Sequence, residues 1–360
     1  MRRMLVTGGA GFIGANFVRY WARSHPDDLI IVLDALTYAG NPENLEDVTS
    51  ERVQLVVDDI NNTDRVMALL REHALDTIVH FAAESHVDRS ITGPDAFLEA
   101  NILGTASLLE AARQVWQVEG MAPEHHRFHH VSTDEVYGSL GPDDPAFTET
   151  TAYAPNSPYS ASKASSDFLV RAWHHTYGLK VTTSNCSNNY GPRHFPEKLI
   201  PLMILNALHG KALPVYGDGQ NIRDWLFVED HVRGIERVLD AGVVGETYNI
   251  GGENEWANID IVQLVCRLID ERFAERPTLA TAYPQCPAAK GEPCNSLVSF
   301  VDDRAGHDFR YAIDTTRIRK KLGFEPATSF EKGIEITIEW YLDNREWWQS
   351  ILSGTYRHVA

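Results

Sequence analysis

The run Met4-Leu-Val-Thr7 leads directly into Gly8-Gly-Ala-Gly-Phe-Ile-Gly14, and an amphipathic helical pattern begins at Ile13. That junction constrains the fold more than any other part of the chain. Glycine serves the tight turn, and it lets a pyrophosphate approach backbone that a side chain would cover. The helix that follows offers unpaired N–H groups and the positive end of its dipole. Asp34 ends the next β-branched run, twenty residues after Gly14. A carboxylate there accepts hydrogen bonds from an adenosine ribose and repels a 2′-phosphate, so the spacing predicts a dinucleotide site that prefers NAD to NADP.

The pattern continues as a fold. Short buried runs at 4–7, 30–34, 53–57, 77–81 and 128–132 alternate with helical spacing at 13–24, 63–73 and 95–116. Strands separated by helices predict right-handed βαβ units and an α/β, doubly wound parallel Rossmann sheet. The runs 181–187 and 247–250 read as further strands of that sheet. From about Lys198 the alternation becomes irregular. The expected division is therefore 1–197 as the dinucleotide-binding domain, rejoined by strands near 224–252, and 198–360 mainly as a smaller α/β substrate domain. The stretch 284–293 reads as a surface loop.

Composition narrows the partners. There are 50 Asp+Glu against 32 Lys+Arg, a net charge of −18, which disfavours a nucleic-acid backbone while leaving room for a local anion pocket. No run approaches the ~20 apolar residues that span a bilayer, and no membrane role is expected. Met1-Arg2-Arg3 carries signal-peptide charges, but the glycines that follow break any secretory apolar core. Cys186, Cys266, Cys286 and Cys294 are sparse and irregular, which predicts reduced thiols in a cytoplasmic protein. No metal site is expected: Cys286 and Cys294 lack zinc spacing, and His125-His-Arg-Phe-His-His130 reads as a surface cluster running into a buried strand.

Two clusters carry chemistry. Tyr159 and Lys163 stand four apart, on one helix face. An ammonium beside a phenol, with a nicotinamide cation nearby, would lower the phenol pKa from ~10 and fit it to take a proton from a substrate hydroxyl. Thr133-Asp134-Glu135 ends the 128–132 strand at the sheet edge where such folds bind ligands. The residues alone leave two readings: carboxyls divided into proton donor and acceptor, or a helix cap followed by solvated acids.

These segments, together with Ala82-Ala-Glu-Ser-His-Val-Asp-Arg-Ser90, Asn185-Cys-Ser-Asn-Asn-Tyr-Gly-Pro192, Arg223-Asp-Trp-Leu226 and Asp303-Arg-Ala-Gly-His-Asp308, resemble the extended short-chain dehydrogenase/reductase family and its nucleotide-sugar 4,6-dehydratase branch. The resemblance spans nearly the whole chain. Ala35, where lysine is common, and Ala305, where proline is common, are its small departures. It implies that NAD is held by Gly8, Gly11, Phe12, Ile13, Gly14 and Asp34. Leu36, Thr37, Asp59, Ile60, Ala82 and Ala83 would complete that site, with Asn189, Tyr159 and Lys163 at its nicotinamide end. Tyr159 would deprotonate the sugar O4 with Thr133 hydrogen-bonded to it, Glu135 would remove the C5 proton, and Asp134 would protonate the departing C6 hydroxyl.

The implied substrate is dTDP-glucose, converted to the 4-keto-6-deoxy sugar. Asn188, Arg223 and Asn258 would face its diphosphate, Lys198 and Leu199 would line the approach, and Ser85 would touch the sugar. Pro214, Val215 and Tyr216 would pack near the base, with Asp303 and His307 also in the substrate site. An NAD-dependent epimerase, or a dehydratase of a UDP- or CDP-sugar, is the nearest alternative. The amphipathic stretches 95–116 and 160–177 often pair across a dimer in this family, so a homodimer is expected. Trp347 and Trp348 are expected to pack a late helix onto the body.

Overall fold

The computed structural model describes residues 1–122, 124–303 and 308–358. Seven parallel strands form one sheet: β1 (Arg3–Thr7), β2 (Leu29–Asp34), β3 (Val53–Val57), β4 (Thr77–His80), β5 (Arg127–Thr133), β6 (Val181–Cys186) and β10 (Thr247–Ile250), in spatial order β10-β6-β5-β4-β1-β2-β3. The order reverses beside β1, and ligands of doubly wound sheets bind outside the carboxyl ends at that switch point. Because helices cover both faces, the strands are apolar without alternation. Met4, Leu5 and Val6 are all fully buried, with Met4 and Val6 in one apolar layer and Leu5 in the other.

Helix Pro158–Tyr177 shows how local sequence fixes the site. Ser157 accepts from the Ser160 amide (3.0 Å), and the Ser160 hydroxyl in turn accepts from the Ser157 amide (3.0 Å), a reciprocal capping box with Pro158 at the first position. The helix ends at Gly178 with φ 74°. The 95–116 expectation holds as one continuous helical run but with wider turns: Leu98–Leu103 and Arg113–Val118 are π-helical, on either side of the α-helical Gly104–Ala112. Gly104 sits where a Cβ would run into the Ile60 side chain.

The remaining strands build a second unit over the carboxyl edge. β7 (Asn188–Tyr190), β9 (Ile222–Phe227) and β11 (Glu255–Ala257) form a three-stranded sheet, and β8 (Leu213–Tyr216) pairs with β12 (Val298–Val301). Helices Leu199–Leu208, Asn258–Glu275, Phe330–Asp343 and Arg345–Ser353 enclose its core. Helix Val228–Ala241 and strand β10 return to the first unit, and Val232, Ile235, Val238, Ile318 and Phe324 belong to its apolar layer, whereas β9 stays outside the large sheet.

The 284–293 stretch is anchored rather than a free surface loop. Cys286 within it and Cys294 just after it are both 0 % exposed with their sulfurs 3.6 Å apart, and all four cysteines are free thiols. His129 and His130 are buried in β5 while His125 is exposed, as the sequence implied. Helix Arg345–Ser353 docks onto the turn after β2, with the Trp347 indole donating to Asn44 (2.8 Å) and Ser350 to Glu43 (3.0 Å). The Tyr356 hydroxyl donates to the Tyr38 carbonyl from the same end.

Candidate active site

Gly8 leaves β1 at φ 68°, and a Cβ on it would stand 2.5 Å from the Ala82 nitrogen. A Cβ on Gly14 would run into the Gly8 carbonyl, so the loop and the start of helix Phe12–Ser24 are in backbone contact. No side chain caps that helix; Gly11 stands at its N-cap with extended backbone, so its first amides face outward. Asp34 is nearly buried at the end of β2. Its carboxylate accepts from the Ala10 and Leu36 amides (both 2.9 Å), which ties the glycine loop to the next turn. Burial raises the Asp34 pKa and those two amides oppose the rise. The glycine cradle, the open helix end and this acid fit a dinucleotide.

The other predicted members of this site occupy the same edge. Leu36 takes φ 48° just beyond β2, and Thr37 is exposed beside it. Asp59 is exposed after β3, and Ile60 is buried under Gly104. Ala82 and Ala83 follow β4, where the Ala82 amide donates to Thr7 (3.4 Å). Asn189 is engaged internally: its amide donates to the Ser187 carbonyl (3.0 Å), and its oxygen lies 2.9 Å from His231 Nδ1.

Strand β5 delivers the acid pair. Thr133 does cap the short turn Asp134–Tyr137, accepting from the Glu135 amide (3.3 Å), so the capping reading is right for Thr133. It fails for Asp134, which is 1 % exposed rather than solvated. Burial, then Glu135 and Asp224, push the Asp134 pKa far up, against a smaller opposing pull from Arg223. Burial and its acidic neighbours therefore favour the neutral form of Asp134 over that of a solvated carboxyl. Thr133 donates to Asp134 Oδ1 (3.3 Å), while Asp134 Oδ2 is buried without a hydrogen-bond partner. Two adjacent carboxyl groups are thus held in different surroundings, which acid–base division of labour requires.

Tyr159 is hydrogen-bonded to Thr133 and lies in the field of Glu135. Its direction of shift differs from the sequence expectation. Burial, then Glu135, drive the phenol well above 10.0, and Lys163 is not among the groups that pull it down. The Lys163 ammonium donates to the Val131 carbonyl (2.9 Å), and burial lowers its own pKa. Lowering the phenol requires positive charge beyond the chain's own groups.

The second unit closes over this pair. Lys198 reaches the Ser85 carbonyl (3.2 Å) and lies in the field of Glu135, so two residues 113 apart in sequence meet. Arg223 donates to the carbonyls of Ile222 (2.7 Å), Asp308 (2.9 Å) and Phe309 (3.2 Å), and its guanidinium lies 4.4 Å from the centre of the Tyr311 ring. The side-chain oxygens of Asn188 and Asn258 are buried and unpartnered, a cost that a hydrogen-bond donor on a ligand would relieve, while their amide N–H groups are the atoms that could face a diphosphate.

One predicted contact is corrected. Val215 is 3 % exposed and its side chain belongs to the second core rather than to an open base site. Alternation along β8 leaves Pro214 and the exposed Tyr216 on the other face. Leu199 is half-buried against the same core, Asp303 is exposed beside Gly217, and His307 lies outside the described residues. Asn101 was missed from sequence. In the π-helical turn its amide bridges the Glu84 backbone (2.9 and 3.0 Å) and Ser162 (2.8 Å), joining the β4 loop to the Tyr159 helix. An asparagine inside an apolar helix was the available signal.

Comparison with known proteins agrees with this geometry. A family model described as GDP-mannose 4,6 dehydratase matches residues 5–337. A dTDP-glucose 4,6-dehydratase of Neisseria meningitidis serogroup B is 56 % identical, covering 99 % of this chain and 98 % of that protein, and one of Escherichia coli is 53 % identical, covering 98 % and 97 %. Among solved structures, the dTDP-glucose 4,6-dehydratase of Streptomyces venezuelae with NAD bound superposes with TM-score 0.85 at 45 % identity, covering 97 % of this chain and 99 % of that one. A UDP-glucose 4-epimerase of Thermotoga maritima shares the fold at TM-score 0.80 and 25 % identity, covering 95 % and 99 %. With its Rossmann sheet, glycine cradle and paired acids, the chain belongs to the dTDP-glucose 4,6-dehydratase family.

Proposed function

We propose that this chain is an NAD-dependent lyase that converts dTDP-glucose to dTDP-4-keto-6-deoxyglucose and water. The observation that carries the reading is the buried Asp134, its neutral form favoured and one carboxyl oxygen without a hydrogen-bond partner, beside Glu135, Thr133 and Tyr159. An epimerase needs no such acid, because it expels no water. NAD, when bound, supplies the acceptor and later the donor of the hydride exchanged with the sugar, and a positive ring near the phenol.

The chain's residues do the rest. Tyr159 takes the proton from O4, with Thr133 orienting that oxygen. Oxidation at C4 acidifies the C5–H, and Glu135 removes that proton. Asp134 gives its proton to the C6 hydroxyl so that water leaves, and Glu135 returns a proton to C5 as C6 is reduced. Arg223, Asn188 and Asn258 hold the diphosphate, and Lys198 and Ser85 close the sugar end. Pro214 and Tyr216 meet the thymine, with Asp303 and His307 in the same region.

Purified protein incubated in turn with dTDP-glucose, UDP-glucose and CDP-glucose tests the reading. The thymidine compound should give a 4-keto-6-deoxy sugar, detected by its near-ultraviolet absorbance in alkali. No such signal would sink it, and an epimerised sugar without water loss would assign the epimerase chemistry instead.

The working unit is a homodimer in the cytoplasm, serving deoxysugar synthesis of the rhamnose type. Among the described residues no helix is long and apolar enough to cross a membrane. Leu98, Leu103 and Phe168 stand 46 %, 58 % and 58 % exposed on the two helical runs, an apolar face that a second copy would bury. Phe168→Glu with Leu103→Glu should halve the mass seen by light scattering; wild-type protein that is monomeric at micromolar concentration would remove the dimer from the proposal.

A further inference from the structure

A buried ammonium needs an opposing charge, because desolvation disfavours its charged form. Lys163 is 4 % exposed, and the Val131 carbonyl that accepts from it is neutral. One turn further along the same helix face stands Asp167, also buried. Its carboxylate accepts from Ser132 (3.0 Å), Tyr153 (2.8 Å) and His130 Nε2 (3.0 Å). Ser132 and His130 lie on β5, immediately before the acid pair. The Asp167 carboxylate therefore joins the helix carrying Tyr159 to the strand carrying Thr133, Asp134 and Glu135.

We propose that Asp167 is a positioning residue: a buried counter-charge that keeps Lys163 an ammonium ion while clipping the Tyr159 helix to β5. The fields agree. Burial lowers Lys163, and Asp167 is the foremost group raising it; burial raises Asp167 to about 6, and Lys163 is the foremost group opposing that rise. The other titratable groups facing the pair are silent near neutral pH. His80 on β4 and His130 on β5 are pushed well below 6.5, and Cys186 on β6 is pushed up to about 12. Tyr137 and Tyr153 are raised by burial. Lys163 and Asp167 thus hold the charge of this pocket between them.

The effect on turnover rests on the role proposed for Tyr159; the charge pairing does not. In Asp167→Asn the alkaline limb of the kcat/KM profile should move about one pH unit or more toward acid, with KM for dTDP-glucose held within about two-fold. Thermal unfolding supplies an independent reading through Asp167→Asn, Lys163→Met and the double variant. If the charges are paired, removing the orphaned ammonium restores stability, and the double variant melts above Asp167→Asn alone or folds where that variant does not. Additive losses, or an unmoved alkaline limb, would overturn the proposal and leave Asp167 as a hydrogen-bond clip. The thermal cycle needs no substrate, so it decides the pair even if dTDP-glucose proves not to be the substrate.

Discussion

Glu135→Gln should lower turnover by about 10²–10⁴-fold, because the C5 proton loses its acceptor in the transition state. The substitution keeps the length and a hydrogen-bonding end, so Thr133 can still cap the turn at the Glu135 amide. O4 deprotonation belongs to Tyr159 and remains, so the variant should stall with a 4-keto sugar that retains its C6 hydroxyl. Mass spectrometry of the quenched mixture would reveal it, and in deuterated water the wild type alone should place deuterium at C5. Unchanged turnover, or continued deuterium uptake at C5, would remove Glu135 from the role of base.

Asp134→Asn should give the opposite balance: turnover falls by a similar order while heat stability rises. The sign follows from proton linkage. Asp134 has a folded pKa far above its ordinary 3.8. Its favourable contribution is complete below that ordinary value and is lost as pH rises toward the folded one, because the unfolded chain ionises first. Within that window the slope is about 1.4 kcal/mol per pH unit against the folded state. Asparagine is neutral at every pH and its oxygen can still accept from Thr133. The melting-temperature gain over wild type should therefore be absent near pH 4 and grow as pH rises above it. A gain that does not depend on pH would mean that Asp134 is not held protonated in the native protein.

Much of this was legible in the chain itself, for definable reasons. The glycine run and Asp34 are local features, and the strands after them are buried on both faces, so their apolar runs announce them within a residue or two. Strand β10, also of the large sheet, is legible on the same grounds. Burial of a polar group was not legible. Asp134 could be read as a solvated acid because nothing in Thr-Asp-Glu records that Arg223 and Asp224 converge on it. The burial that raises the Tyr159 phenol was not legible either; the sequence shows the spacing of Tyr159 and Lys163 but not the desolvation of the phenol. Val215 reads as a base contact until β8 is seen to turn it into the core. The π-helical turns carry no signal in apolar periodicity, and Asn101 was lost with them.

The docking of residues 345–356 onto the turn after β2 bears on how the protein matures. Hydrogen bonds from Trp347, Ser350 and Tyr356 reach Asn44, Glu43 and Tyr38 across 303, 307 and 318 residues of intervening chain. Contacts of that sequence separation form late, because the loop they close must first lose its freedom. That turn hydrogen-bonds back to the glycine loop through Asn41 and Asn44, beside the carboxylate of Asp34. The adenosine end of the proposed cofactor site is therefore finished by its most distant neighbours. A partly folded chain can own every glycine and the acid yet grip a dinucleotide poorly, which makes tight retention a sign that maturation is complete.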